Sequence, residues 1–241
     1  SNVIPGAPVV LEAKDMSSAI IHDVSFQLRK GEILGFAGLM GAGRTELARL
    51  VFGADSRSSG SIYKNGKKIQ IRKPKDAVEH GIGYLSENRK DMGLAIKLSI
   101  SDNVAMTCWP LLAPNGIVKK DIVDKRVEER KKIAVKTPSV DQLVKNLSGG
   151  NQQKVVIAKW LIRDCDILIF DEPTRGIDVG AKNEIYKLMN KLVEDGKSII
   201  MISSEMSELL RMSDRILVMR EGRITGELDI SEATQENIMR Y

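Results

Sequence analysis

The sequence predicts an α/β fold with a mainly parallel sheet core, an antiparallel β subdomain near the N-terminus and a helical insertion. Three observations carry that expectation. Apolar runs of strand length alternate with helix-period segments through the last third of the chain. The N-terminal third reads mostly as strands and tight turns. Between about Asn88 and Leu147 the strand signals vanish and helical ones take over. The 241 residues suit one large domain, and a composition 42% apolar and 29% charged excludes collagen-like, disordered and disulfide-scaffold chains.

In chain order, Val9 to Leu11 and Ile20 to Leu28 are expected strands, the second because Val24, Phe26 and Leu28 alternate. Lys30-Gly31-Glu32 turns into the apolar run Ile33 to Ala37, a buried strand, and a glycine-rich turn follows it. Thr45 to Phe52 is helical by pattern, and Asn65-Gly66 closes a hairpin over Ser61 to Ile71. Ala77 to His80 ends a short helix, and Ile82 to Leu85 is a strand. The insertion holds helices Asp102 to Cys108 and Lys119 to Val135, with a loop from Pro110 to Gly116 between them. Helix and strand then alternate: Asn151 to Arg163, Ile167 to Phe170, Ala181 to Val193, Ile199 to Ile202, Glu205 to Arg211 and Arg215 to Met219. Ile185, Leu188, Met189, Leu192 and Val193 form one apolar stripe, so that helix faces a sheet.

Bulk properties narrow the class only a little. No apolar run approaches the roughly 18 residues that cross a bilayer. Cys108 and Cys165 belong to no CxxC or Cys/His cluster, which favours reduced thiols and a cytoplasmic compartment. The net charge of +5 suits nucleic acid, anionic lipid or phosphate ligands equally. Its densest cluster, 119–132, interleaves acids at i,i+4 spacing and reads as a solvated helix face.

Three motifs carry chemistry. Gly38-Leu39-Met40-Gly41-Ala42-Gly43-Arg44-Thr45 matches the phosphate-loop pattern GxxxxGK[ST] except that Arg44 replaces Lys. Its glycines let backbone N–H groups converge on phosphate oxygens, the following helix points its positive end there, and Thr45 offers a hydroxyl to Mg²⁺. Ile167 to Phe170 runs into Asp171-Glu172, a buried strand ending in two carboxylates, one for a metal and one for an attacking water. Together these predict a P-loop nucleoside triphosphatase, with Asp171 on Mg²⁺ and Glu172 as general base. The third motif is Leu147-Ser148-Gly149-Gly150-Asn151-Gln152-Gln153-Lys154, where Ser148 caps a helix start whose N–H groups form an anion site.

With that third motif the chain resembles the ATP-binding-cassette family, whose signature sequence it matches, and the resemblance covers essentially the whole length. The phosphate loop with Glu46 and Leu47, the signature, and Asp171 to Lys182 together look like the C-terminal cassette of the two-cassette ATPases of bacterial monosaccharide importers, of ribose, xylose, arabinose and galactose type. The likeness implies one nucleotide-binding domain, with an ATP-binding core of 1–87 and 160–241 and a helical and signature subdomain of about 88–159. It also implies a fragment of a longer chain, in keeping with Ser rather than Met at position 1. ATP and Mg²⁺ are the implied ligands. The implied partners are an N-terminal cassette of the same chain, a membrane permease whose cytoplasmic helix enters a groove around Glu87 and the insertion, and indirectly a periplasmic or extracellular sugar-binding protein. Nucleic acid is not among them, because aromatics are only 4% and no Lys/Arg run is uninterrupted; a soluble cassette ATPase acting on nucleic acid and a non-hydrolysing nucleotide sensor are the alternative readings. The implied place is the cytoplasmic face of the plasma membrane. In the family, Leu147 to Asn151 binds the γ-phosphate held by a partner cassette, and Asp178 lies in the loop that crosses to it.

Several positions depart from the family pattern. Arg44 keeps charge but not the slender geometry of an ammonium. Glu46 brings a carboxylate where a hydroxyl is usual. Glu87 stands for a neutral amide and becomes a candidate Mg²⁺ ligand, and Ser204 stands for a histidine that reaches the γ-phosphate. No aromatic for adenine lies between Leu11 and Ile20. The expectation is a degenerate site that binds ATP weakly and hydrolyses it slowly or not at all, beside an intact signature surface that acts in trans.

Overall fold

Three strands buried on both faces organise the chain: β3 (Ile33–Ala37), β7 (Ile167–Asp171) and β8 (Ser198–Ile202). They lie in a six-stranded sheet of order β10-β9-β3-β8-β7-β6, whose other members are β6 (Ile82–Leu85), β9 (Arg215–Arg220) and β10 (Arg223–Asp229). The pairs β3–β8, β3–β9 and β7–β8 are parallel, and only β9–β10 is antiparallel among the pairs whose register is defined. Continuous apolar runs such as Ile167 to Phe170 suit strands covered on both faces. A second, four-stranded antiparallel sheet of order β2-β1-β4-β5 holds β1 (Val9–Ser17), β2 (Val24–Arg29), β4 (Ser59–Lys64) and β5 (Lys67–Ile69).

This computed structural model describes residues 6–88, 93–106 and 139–241. The expected helix Lys119 to Val135, the loop Pro110 to Gly116, the charge cluster of 119–132, Cys108 and Ser1-Asn2 lie outside the described residues. The chain divides into two units: Ser1–Tyr84 with Asp166–Glu172 and Met189–Tyr241, and Leu85–Cys165 with Pro173–Leu188. Residues 173–188 therefore group with the helical segment. Among the described residues no helix is long and apolar enough to cross a membrane.

The first unit contains both sheets. Its helices are α1 (Arg44–Phe52), α2 (Pro74–Glu79) and, late in the chain, two short ones over Met206–Met212 and Gln235–Met239. The hairpin turn is as expected, with Asn65 and Gly66 both at positive φ. Strand β2 starts at Val24 and not at Ile20, because Ser18 Oγ accepts the N–H groups of Ile20 and Ile21 and holds a turn there. Strand β1 runs on to Ser17, beyond the expected Leu11, with Ala13 and Met16 buried and Lys14 and Asp15 exposed. Strand β10 and the helix Gln235–Met239 were not expected.

The second unit is helical: α3 (Ile100–Met106), a 3₁₀ turn Val144–Asn146, α4 (Gly149–Ile162) and the first part of α5 (Val179–Glu194). Asn103, wholly buried, fastens α3 to the segment before it. Its amide donates to the carbonyls of Ala95 and Ser99 and accepts the Ala95 N–H. Lys154 on α4 is buried against Glu184 of α5 at 2.6 Å. Ile185, Met189, Leu192 and Val193 of the expected stripe are buried, and Leu188 is half-buried. Cys165 is buried and forms no disulfide among the described residues.

One buried ion pair ties the central sheet to the turn that enters it. Arg215 on β9 donates to both carboxylate oxygens of Glu32 at 2.9 and 3.2 Å, and also to Glu227 and the Gln27 carbonyl. Glu32 in turn accepts the Arg29 N–H. Removing one partner of such a pair strands a buried charge. Arg215→Met is therefore expected to lower the free energy of unfolding by about 3 kcal/mol in urea melts.

Candidate functional site

The carboxyl edge of the six-stranded sheet gathers the first unit's polar chemistry. Register sets it: Ile202 pairs with Phe36 on one side and with Asp171 on the other. Strands β3, β7 and β8 therefore end level, and the residues just past them meet. After β3 comes Gly38 to Thr45. Gly43 caps α1 with φ +100, and a Cβ there would meet Ile21 Cδ1 at 2.8 Å. No side chain caps this helix, so its first-turn N–H groups are available to an anion. Leu39 and Met40 stand exposed at the loop's tip. A cleft of about 660 Å³ adjoins the loop, lined by Gly38 to Ala42, Ser204 and Met206 on one side and by Met219, Ile238 and Tyr241 on the other.

After β7 come the two acids. Asp171 is wholly buried; it accepts Thr45 Oγ1 on Oδ1 at 3.1 Å and Tyr84 Oη on Oδ2 at 2.7 Å. Burial pushes the Asp171 carboxyl up, the Tyr84 and Thr45 bonds and the Arg44 charge oppose that, and Glu46 reinforces it. Burial beside Asp171 likewise pushes the Tyr84 hydroxyl up, so it remains a donor. Glu172 sits at φ +51, a left-handed conformation rare for a side chain of its size, with its N–H bonded to the Ile202 carbonyl at 2.9 Å. Its carboxylate accepts Ser204 Oγ at 3.1 Å. Burial raises the Glu172 carboxyl, while the Ser204 hydroxyl and the Arg44 charge hold it down.

After β8 come Ser203 and Ser204. Arg44, 9% exposed, turns its guanidinium onto the Ser203 carbonyl at 2.6 Å. Phosphate loop, carboxylates and Ser204 thus come together in one unit, as the sequence predicts. Two hard oxygen donors, Thr45 Oγ1 and Asp171 Oδ1, lie side by side. That donor set fits a Mg²⁺ whose other ligands are phosphate and water, although no group of three or more His, Cys, Asp or Glu among the described residues could hold a metal ion alone. The segment from Leu11 to Ile20, where the aromatic for adenine is expected, holds none, and Ile20 stands exposed. Its neighbourhood is tied to the loop, because His22 N–H donates to Gly222 and Gly222 N–H donates to Ala42.

The other predicted residues lie in the second unit. Ser148 caps α4 by accepting the Asn151 N–H at 3.4 Å, with Leu147 and Gly150 buried and Ser148 exposed. A Cβ on Gly150 would meet Ala181 Cβ at 2.8 Å, so glycine is needed for the approach of α5. Asp178, exposed, caps α5 by accepting the Ala181 N–H at 2.9 Å. Glu87 is ion-paired to Arg175.

A profile of the ABC transporter family matches residues 21–175. The chain belongs to the ABC transporter family. A xylose import ATP-binding protein of Thermoanaerobacter pseudethanolicus is 59% identical over 222 residues, 91% of this chain and 44% of its own. A ribose import ATP-binding protein of Clostridium tetani is 56% identical over 224 residues, 92% of this chain and 44% of its own. This ABC transporter chain thus spans about half the length of the curated relatives it matches. The fold is shared with a nucleotide-free ATP-binding cassette from an ABC transporter, at a TM-score of 0.81, 18% identity and coverage of 97% and 96% of the two chains. The P-loop architecture expected from the motifs is therefore the observed one.

Sequence reading missed Tyr84, Ser203 and the Glu208 that holds Ser203. Tyr84 sits two residues before Ser86 in a strand that was predicted, but a single tyrosine there carries no spacing signal. Tyr84→Phe removes the hydroxyl that orients Asp171 and is expected to weaken Mg²⁺-dependent nucleotide binding by about tenfold, measured by titration with and without Mg²⁺. Ser204→Ala removes a bond that favours ionised Glu172, so a ¹³C-detected titration should place the Glu172 carboxyl higher than in the wild type.

Proposed function

We propose that this chain is the second ATP-binding cassette of a two-cassette ATPase that drives monosaccharide import. The sugar-import names and high identity of its relatives support that reading. Its partners are an N-terminal cassette, a membrane permease and, through the permease, a sugar-binding protein outside the membrane. It works at the cytoplasmic face.

The cassette's own phosphate loop binds ATP weakly and turns it over slowly or not at all. One observation carries this: the only cation of the loop lies on the Ser203 carbonyl at 2.6 Å. Loop N–H groups and the α1 terminus remain to hold phosphate. Thr45 and Asp171 would hold Mg²⁺. The metal, when bound, offsets charge on the phosphate oxygens. Glu172 takes the proton of the attacking water, and Ser204 keeps its carboxylate ionised and aimed. Glu46 and the missing aromatic subtract from affinity.

Ser148 and the N–H groups of Gly149, Gly150 and Asn151 act in trans, on a triphosphate held by the N-terminal cassette, with Asp178 on the crossing loop. That role needs no phosphate loop in their own unit.

The test is a titration of a fluorescent ATP analogue with Mg²⁺, with phosphate release followed in the same samples. Alone, the chain is expected to bind at high micromolar concentration or weaker, with no release above the Glu172→Gln variant. With the N-terminal cassette supplied, release should appear, and Ser148→Arg in this chain should abolish it. Tight binding and brisk release by the isolated chain, lost in Glu172→Gln, would make it an active ATPase in its own right.

A further inference from the structure

Ser203 and Ser204 divide two tasks at the end of β8. Ser204 Oγ donates to Glu172 at 3.1 Å, and the Ser203 carbonyl accepts Arg44 Nη1 at 2.6 Å. The direction of that carbonyl is set by the Ser203 side chain, which donates to Glu208 Oε2 at 2.6 Å and accepts the Glu205 N–H at 3.0 Å. Glu208 lies in the first turn of the helix Met206–Met212 and is only 4% exposed. Arg44, Ser203 and Glu208 thus form a buried chain from the phosphate loop to a carboxylate outside the nucleotide site. Arg44 is buried and shares the lining of a small apolar cavity with Phe26, Phe36, Leu47, Ile200 and Ile202. No hydrogen-bond partner other than Ser203 holds its guanidinium among the described residues.

We infer that Glu208 is a positioning residue for the phosphate loop: through Ser203 it keeps Arg44 on the Ser203 carbonyl. A triphosphate must then draw the guanidinium off that oxygen, and the Ser203–Ser204 turn carries the change to Glu172. The inference rests on the reading of Gly38 to Thr45 as a nucleotide-phosphate site. A binding-competent state that is only partly populated lowers apparent affinity by that fraction. Loss of the Glu208 or Ser203 side chain frees the turn, so phosphate binding tightens while the aim of Glu172 loosens. A residue that served only the fold would weaken both.

The measurement is the affinity of the purified chain for a non-hydrolysable ATP analogue with Mg²⁺, by calorimetry, in Ser203→Ala, Glu208→Ala and Glu208→Gln, each alone and combined with Arg44→Met. Ser203→Ala and Glu208→Ala should each tighten binding by about three- to tenfold, the share of a charge-assisted hydrogen bond that no longer competes. Glu208→Gln keeps an acceptor for Ser203 and should bind like the wild type. On Arg44→Met neither alanine variant should change affinity, since the group they release is gone. If Glu208→Ala does not fold, Ser203→Ala decides alone. Unchanged or weaker binding in Ser203→Ala, or an equal change on Arg44→Met, overturns the role of Glu208 and leaves the phosphate-loop reading standing. A wild-type chain that binds no analogue at all overturns that reading and the inference with it.

Discussion

Three parallel strands, buried on both faces, cannot slip by a residue without carrying each side chain to the opposite layer, into a space shaped for a different one. That constraint holds Phe36, Asp171 and Ile202 level. Because they are level, the turns that follow share one edge: the phosphate loop after β3, Glu172 after β7 and the two serines after β8. Side chains on these turns bond directly to one another because neighbouring strands of a sheet lie only about 5 Å apart. Substitutions in β7 or β8 that alter register would thus disperse the site without touching one of its side chains.

The same edge concentrates acid. Asp171 is fully buried, Glu172 is half-buried, and Glu46 adds repulsion from the first turn of α1. Burial favours the neutral form of Asp171 and of Glu172, so their ionisation depends on what opposes it. Hydroxyls of Tyr84, Thr45 and Ser204 donate, and Arg44 supplies the positive charge felt by both Asp171 and Glu172. The guanidinium is thus an internal counter-charge of the carboxylates while it rests on the Ser203 carbonyl. A lysine would meet phosphate as a point charge. An arginine can grip a carbonyl with one nitrogen while its charge still reaches the acids. Its inward pose follows from that geometry.

Legibility in the sequence tracked burial. Strands β3 and β6 were readable to the residue, because apolar runs bounded by glycine or polar turns allow little else. Strand β1 was read too short: Lys14 and Asp15 face solvent on an antiparallel sheet and look like a loop. Strand β10 alternates between exposed and half-exposed residues at the sheet's margin, and only Leu228 is buried, so it left little apolar signal. The motif residues of the site were legible because chemistry fixes their spacing. Tyr84, Ser203 and Glu208 were not, since each acts through a single bond to a residue distant in sequence. Arg44 marked itself as a departure, but only the coordinates show where its guanidinium goes.

The helix start at Ser148 poses a different physical problem. Its N–H groups and dipole favour an anion, and the Ser148 hydroxyl accepts the Asn151 N–H by a long bond of 3.4 Å. The unit that carries it supplies neither of the two oxygen donors for a metal nor the general base, all of which sit in the other unit. An anion site without those groups can stabilise charge but cannot activate water. Under the proposed reading, its value is realised only on a phosphate brought by another cassette. On that same reading, an Arg44 turned onto Ser203 has unequal consequences: it would weaken the site on this chain's own loop and leave the contribution of Ser148 intact. Selection on such a chain would act on the signature surface and on the packing that positions it, Gly150 against Ala181 and Lys154 against Glu184, more strongly than on the phosphate loop.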